Sequence, residues 1–164
     1  MFRQLRKRPQ QGGGDAGCPA VCSTYPQIQM RRTGLAKGLT EAGSDAVIVD
    51  LPTDYFSYEI AHQKVRDYLS SASQPPDAVF AASDTLAMAA VSALREHDLK
   101  IPKQVSVVGY NDISYAALFD PPLTTVRQDI HQAGALLVEK FMQILDGAHP
   151  PSVTLPTELI VRKS

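Results

Sequence analysis

VSVVGYNDISYAALFDPPLTTVRQ, residues 105–128, is the stretch that decides the fold. Val105-Ser106-Val107-Val108 is a short apolar run of the kind a buried strand shows. A polar loop carrying Asn111 and Asp112 follows it, and Pro121-Pro122 breaks the chain before a second strand that ends at Arg127-Gln128. Two strands this close, separated by a loop and a proline break, place polar side chains at a strand's carboxyl end.

The same grammar repeats outward from this stretch. Ala78-Val79-Phe80-Ala81-Ala82 reads as a buried strand, and Asp84 as the cap of a helix with Leu86, Ala90, Ala93 and Leu94 on its inner side. Ala46-Val47-Ile48-Val49 reads as a strand covered on both faces. Pro26 suits a first helical position; Ile28, Leu35 and Leu39 give that helix an apolar face, and Gly43 stops it. Ser57 is placed to cap a helix carrying Val65, Tyr68 and Leu69, and Ser73 to Pro76 form a turn. Asp129 opens a long amphipathic helix through Leu136, Leu137, Phe141, Ile144 and Leu145, closed by Gly147. A last strand runs from Val153 to Val161; Pro156 inside it points to an edge or irregular position. Apolar strands alternating with helices predict an α/β layer structure with a parallel sheet flanked by helices. Ligands in such sheets bind beyond the carboxyl ends of the strands, and Asp50–Tyr58, Ser83-Asp84 and Tyr110–Ile113 all fall there.

Composition bounds the function. The 164 residues carry a net charge of −1, which supplies no general electrostatic drive toward nucleic acid. The exception is Arg3, Arg6, Lys7 and Arg8, read as a solvated terminus rather than a nucleic-acid arm. Residues 1–24, with Gln10-Gln11-Gly12-Gly13-Gly14, are expected to be flexible and to stand apart from the domain at 25–164. Cys18 and Cys22 lack a second metal pair and read as incidental thiols in that loose segment; no metal and no cofactor are expected. His62, His97, His131 and His149 are scattered without ligand spacing, and no phosphate loop or nucleophile motif appears. No apolar run approaches the roughly 20 residues of a membrane helix, and the basic start has no apolar stretch after it, so the cytoplasm is the expected compartment.

Six segments in order resemble the lactose/galactose repressor (LacI/GalR) family. Arg31-Arg32-Thr33-Gly34-Leu35 looks like that family's R-x-x-G-(F/W/L), and Asp54-Tyr55-Phe56-Ser57 like its G-D-(F/W)-S. Ala78 to Ala89, Ile101-Pro102 with Val105 to Asp112, Pro121 to Gln128, and Leu155-Pro156-Thr157-Glu158-Leu159 continue the series. The resemblance implies the C-terminal part of an effector-binding, periplasmic-binding-protein-like domain. It implies a sugar-like or related polar effector and a homodimer, with no enzymatic step and no membrane partner. Operator DNA would be reached only through a headpiece missing here, and the helix at 130–146 would pack in an N-terminal subdomain that is also missing. The strand expected before the R-x-x-G helix is not recognisable in Met1 to Cys22.

By position, the resemblance assigns Arg31, Phe56, Ser83, Asn111 and Gln128 to the effector pocket, and Leu86, Met88, Ala89 and Phe119 to the dimer interface. A guanidinium offers a planar fork of donors to adjacent oxygens, and an aromatic ring takes the apolar face of a sugar. Ser83 stands where the family usually has Asn, and Asn111 is neutral where many members carry a charge, so a ligand needing fewer acceptors is expected. Other readings stay open. Arg31 can be a solvated helix arginine, Phe56 a helix-entry staple on Ala61, and Asn111 a residue that satisfies its own turn. Arg127 has no support as a ligand contact. Rival readings are a periplasmic-type sugar-binding protein of a transport system and an inactive truncated remnant.

Overall fold

The computed structural model describes residues 17–22, 25–53 and 56–164, and in the first of these segments only the side chains of Cys18 and Ala20. The basic cluster Arg3–Arg8, the Gly12–Gly14 run, Asp54 and Tyr55 lie outside the described residues. Among the described residues, eleven elements follow in chain order: β1 Gly17–Cys22, α1 Pro26–Glu41, β2 Val47–Pro52, α2 Tyr58–Ser71, β3 Ala78–Ala81, α3 Asp84–Glu96, β4 Ser106–Asn111, a 3-10 turn Ser114–Ala117, β5 Thr124–Gln128, α4 Ile130–Leu145 and β6 Thr157–Ile160. They build one six-stranded sheet in the order β2-β1-β3-β4-β5-β6, parallel except for β6, which runs antiparallel to β5.

The parallel α/β architecture agrees with the sequence reading, but three local expectations are corrected. The strand thought absent before α1 exists: β1 sits between β2 and β3, inside the segment expected to be loose. Pro19 conceals it, because a proline argues against a central strand. The ladder with β3 begins at Ala20, one residue past the proline, so that side of the strand does not require the missing N–H at Pro19. Second, β2 is not covered on both faces. It is the sheet's edge, and Val47 stays about half exposed. Third, Cys18 is not an incidental thiol in a loose segment but a buried β1 side chain, its thiol pushed up to about 11, chiefly by burial.

The core lies where α3 meets β3, β4 and α2. Leu86, Val91 and Leu94 of α3, Val79 of β3, Val107 of β4 and Val65 of α2 are fully buried. Each such side chain contributes about 1.5–3 kcal/mol relative to exposure. Ala87, Ala89, Ala90 and Ala93 are buried as well, and their small size lets α3 lie close to the sheet. Leu86, Met88 and Ala89, residues assigned to a dimer interface, are buried in the core of the single chain. Phe119 is partly buried and meets Tyr115 edge-on at 6.2 Å. The apolar surface near it is Ile113, Tyr115 and Leu118, all exposed.

Helix α4 stands apart energetically. Asp129 caps it by accepting from the Gln132 N–H at 2.8 Å, as expected, yet none of its residues is buried. Leu137, Val138, Phe141, Met142, Ile144 and Leu145 are all exposed. The strand at the end of the chain starts only after Pro156 and lies on the sheet's other edge, where the proline demanded it. No described helix is long and apolar enough to cross a membrane.

Candidate ligand site

Five parallel strands end at one rim, and the loops that leave them carry the polar side chains. Arg31, on α1, reaches this rim. Its Nη1 donates to the Ala82 carbonyl at 2.5 Å, and its guanidinium lies 3.7 Å from the centroid of the Tyr110 ring. Burial lowers the Arg31 pKa, and the neighbouring Tyr110 opposes that shift. The side chain is thus held by the β3–α3 turn and by β4, which excludes the solvated-arginine reading. Tyr110, adjacent to Asn111, was not singled out in the sequence; a tyrosine inside a strand motif carries no mark of a cation partner.

Phe56 is exposed. Its ring lies parallel to that of Tyr25, at 6.2 Å between centroids and 5° between planes. Two aromatic faces, one from the start of α1 and one from the start of α2, therefore stand together. Ser83 is nearly buried and is the true N-cap of α3, accepting from the Leu86 N–H at 3.3 Å. Asp84, read from sequence as that cap, is the first helical residue and turns inward. Its carboxylate accepts from the Thr125 hydroxyl at 2.5 Å and from the Ile113 N–H at 2.8 Å. Burial pushes the Asp84 carboxyl up, and those two hydrogen bonds draw it partly back.

Asn111 ends β4 at φ 109°, and Asp112 follows at φ 52°, so the chain leaves the strand through two successive left-handed residues. The Asn111 amide donates to Gln128 Oε1 on β5 at 3.2 Å. Asn111 and Gln128 line a cleft of about 680 Å³ together with Arg127, His131, Thr157 and Glu158. Arg31, Phe56 and Ser83 do not line that cleft. The structure therefore brings the sequence-assigned residues to one rim in two groups: Asn111 with Gln128 in the cleft, and Arg31, Phe56 and Ser83 toward α1, α2 and α3.

A second polar cluster went unread in the sequence. Asp112 accepts from Arg162 Nη2 and from Arg127 Nε, each at 2.7 Å, and Arg127 also faces Glu158 at 3.4 Å. Burial is the largest influence on the Asp112 carboxyl and would raise it. The two arginines outweigh it and hold the carboxyl below the usual carboxylate range. Partners fifteen and fifty residues away leave no local pattern to find. Among the described residues no group of three or more His, Cys, Asp or Glu side chains is placed to hold a metal.

A mostly parallel sheet whose rim presents an arginine, paired aromatic faces and two linked amides has the arrangement in which α/β domains place their ligand sites. The chain belongs to the family of the periplasmic binding protein-like domain, whose model matches residues 16–164, and it corresponds to the C-terminal part of the effector-binding domain of LacI/GalR regulators. It is 31% identical over 160 residues to the HTH-type transcriptional repressor CytR of Escherichia coli K12, covering 94% of this chain and 46% of that protein. The Lac repressor dimer bound to operator and the anti-inducer ONPF matches with a TM-score of 0.81 at 27% identity, over 92% of this chain and 52% of that one. The complex of the transcriptional regulator CelR with cellobiose matches with a TM-score of 0.77 at 29% identity, over 93% and 47%. The chain spans about half the length of the curated relatives it matches.

Proposed function

We propose that this chain is the effector-sensing part of a LacI/GalR-type transcriptional regulator. In this reading it recognises a small polar ligand, a sugar or a nucleoside, without making or breaking a bond. The observation that carries it is the placement of Arg31 between the Ala82 carbonyl and the Tyr110 ring, at the same rim of the sheet as the Asn111–Gln128 pair. The guanidinium keeps donors beyond the one given to Ala82, and these suit adjacent oxygens. The Tyr25–Phe56 pair offers a flat apolar face to a ring. Ser83 and Gln128 complete the polar edge. Both CelR, solved with cellobiose, and the Lac repressor, solved with ONPF, share this fold, which supports a ring-bearing ligand. Binding would shift the domain between two states with different affinity for DNA, through a headpiece, in the cytoplasm.

A thermal-shift screen of sugars and nucleosides tests the reading, because a ligand that binds only the folded state raises its stability. Polyhydroxylated compounds are expected to stabilise the chain, and Arg31→Ala to abolish the effect. Stabilisation that survives Arg31→Ala removes Arg31 from the site.

The same reading implies a homodimer. With α3 occupied by the core, the contact is assigned to the segment around Phe119, where Tyr115 and Leu118 are exposed beside it. Sedimentation at micromolar concentration is expected to show a dimer that Leu118→Asp converts to monomer. A wild-type monomer there overturns the assignment.

A further inference from the structure

Two successive non-glycine residues, Asn111 and Asp112, stand at positive φ, a conformation that L side chains rarely adopt in sequence. Something outside the turn must hold them. The Asp112 N–H donates to Thr125 Oγ1 at 3.3 Å, and that hydroxyl in turn donates a hydrogen bond to Asp84. The Ile113 N–H reaches the other oxygen of Asp84. These contacts fix the backbone after the turn. The Asp112 carboxylate itself is fixed by the two arginines, one on each oxygen.

The two arginines are unequal. Arg127 is about half exposed and divides itself between Asp112 and Glu158, so water screens it. Arg162 is 17% exposed and is tied on every side. Its Nη1 donates to the Leu123 carbonyl at 2.7 Å and its backbone N–H to Thr124 Oγ1 at 3.0 Å. Lys163 N–H reaches the Pro122 carbonyl, and the Ser164 hydroxyl bridges Thr124 N–H to the Val107 carbonyl. The guanidinium is therefore delivered by a stretch pinned to both β4 and β5.

We propose that Arg162 is a positioning residue for the ligand face: acting through Asp112, it holds the left-handed Asn111–Asp112 turn that aims the Asn111 amide at Gln128 and the cleft. The inference rests on the reading that Asn111 meets the ligand. It also makes the segment leaving β6 a part of the site, fifty residues from the turn it holds.

Nuclear magnetic resonance of the 164-residue chain without ligand tests it. The Asn111 Cα and Hα shifts report the positive φ, and the Asn111 and Gln128 side-chain amides report their contact. Arg162→Met is expected to move the Asn111 and Asp112 shifts toward averaged values and to broaden the Asn111 amide. Arg162→Lys, which keeps the charge but not the planar fork, is expected to fall between. Ser164→Ala removes neighbouring hydrogen bonds without touching Asp112; it is expected to lower the melting temperature and leave the Asn111 signals in place. Unchanged Asn111 signals in Arg162→Met, or the same change in Ser164→Ala, overturn the proposal. If Arg162→Met does not fold, Arg162→Lys decides by the same signals. A second arm uses adenosine and cellobiose as probes. Loss of binding in Asn111→Ala supports the ligand reading, and its persistence overturns that reading while the ligand-free spectra still decide the role of Arg162. Where a probe binds, Arg162→Met is expected to weaken it about tenfold, equivalent to about 1.4 kcal/mol; unchanged affinity overturns the proposal.

Discussion

A single oxygen of Asp84 explains why position 109 must be glycine. A Cβ built on Gly109 would collide with Asp84 Oδ1 and crowd Leu123 and Ala87. The obstructing atom belongs to a buried carboxylate held by two hydrogen bonds, so it cannot swing away. Gly109→Ala is expected to cost about 1–3 kcal/mol in chemical denaturation, and a neutral effect would show that the Asp84 cluster yields easily. Asp112 gives the pH dependence. Its folded pKa lies below the ordinary value, so its contribution to stability is complete above its unfolded pKa of about 4 and is lost as pH falls through the lower folded value. Asp84 has the opposite sign, since its raised folded value makes ionisation unfavourable to folding as pH climbs past about 4. Asp112→Asn leaves Arg162 without a charged partner and should cost roughly 3 kcal/mol at pH 7. Urea denaturation should show that deficit shrinking at pH 3; a deficit equal at both pH values would mean the carboxylate is not the group that matters.

At the scale of elements, what the sequence disclosed depended on whether a signal was local. Helix α2 announced its start through Ser57, whose hydroxyl does accept from the Ile60 N–H; β4 announced itself as an apolar run, and β5 as the stretch that ends at Arg127-Gln128 after a proline break. Helix α3 was legible as a helix, but its buried face was not. A run of alanines fits either a core or a subunit contact, and the packing of α2 and the sheet around it, which buries the run, has no mark in the local sequence. Strand β1 was hidden because Pro19 breaks the apolar pattern and its sheet partners are distant in sequence. The rim itself was foreseeable, since strand ends collect polar residues. The Arg31–Tyr110 contact and the Asp112 clamp were not, because pairs spread along the chain carry no spacing rule. Ser83 shows how an element constrains a site residue. As the N-cap of α3 it is committed to the helix, so Ser83→Ala should cost about 1 kcal/mol in stability whether or not ligand is present. Ser83→Asn, an equally good cap, should retain that stability. A thermal melt that ranks the two substitutions equally would deny the capping role.

On the scale of the whole molecule, the sheet and α3 form a dense core, while α4 adds nothing to it. An exposed apolar side chain does not stabilise the fold that exposes it, yet it attracts other apolar surface. Leu137, Phe141 and Ile144 recur on α4 at helical spacing and all remain open. In the proposed LacI/GalR reading this helix would pack against an N-terminal subdomain, and a ligand held from one side only would compete with water for its hydrogen bonds. Replacing Leu137 and Phe141 by lysine should therefore leave the stability of the 164-residue chain within about 0.5 kcal/mol. The same change should reduce concentration-dependent association. Urea denaturation and sedimentation velocity, run side by side on the parent and the double variant, measure the two effects separately. A loss of several kcal/mol would show that the face is buried within the chain in solution, and unchanged association would show that α4 is not the surface through which copies meet.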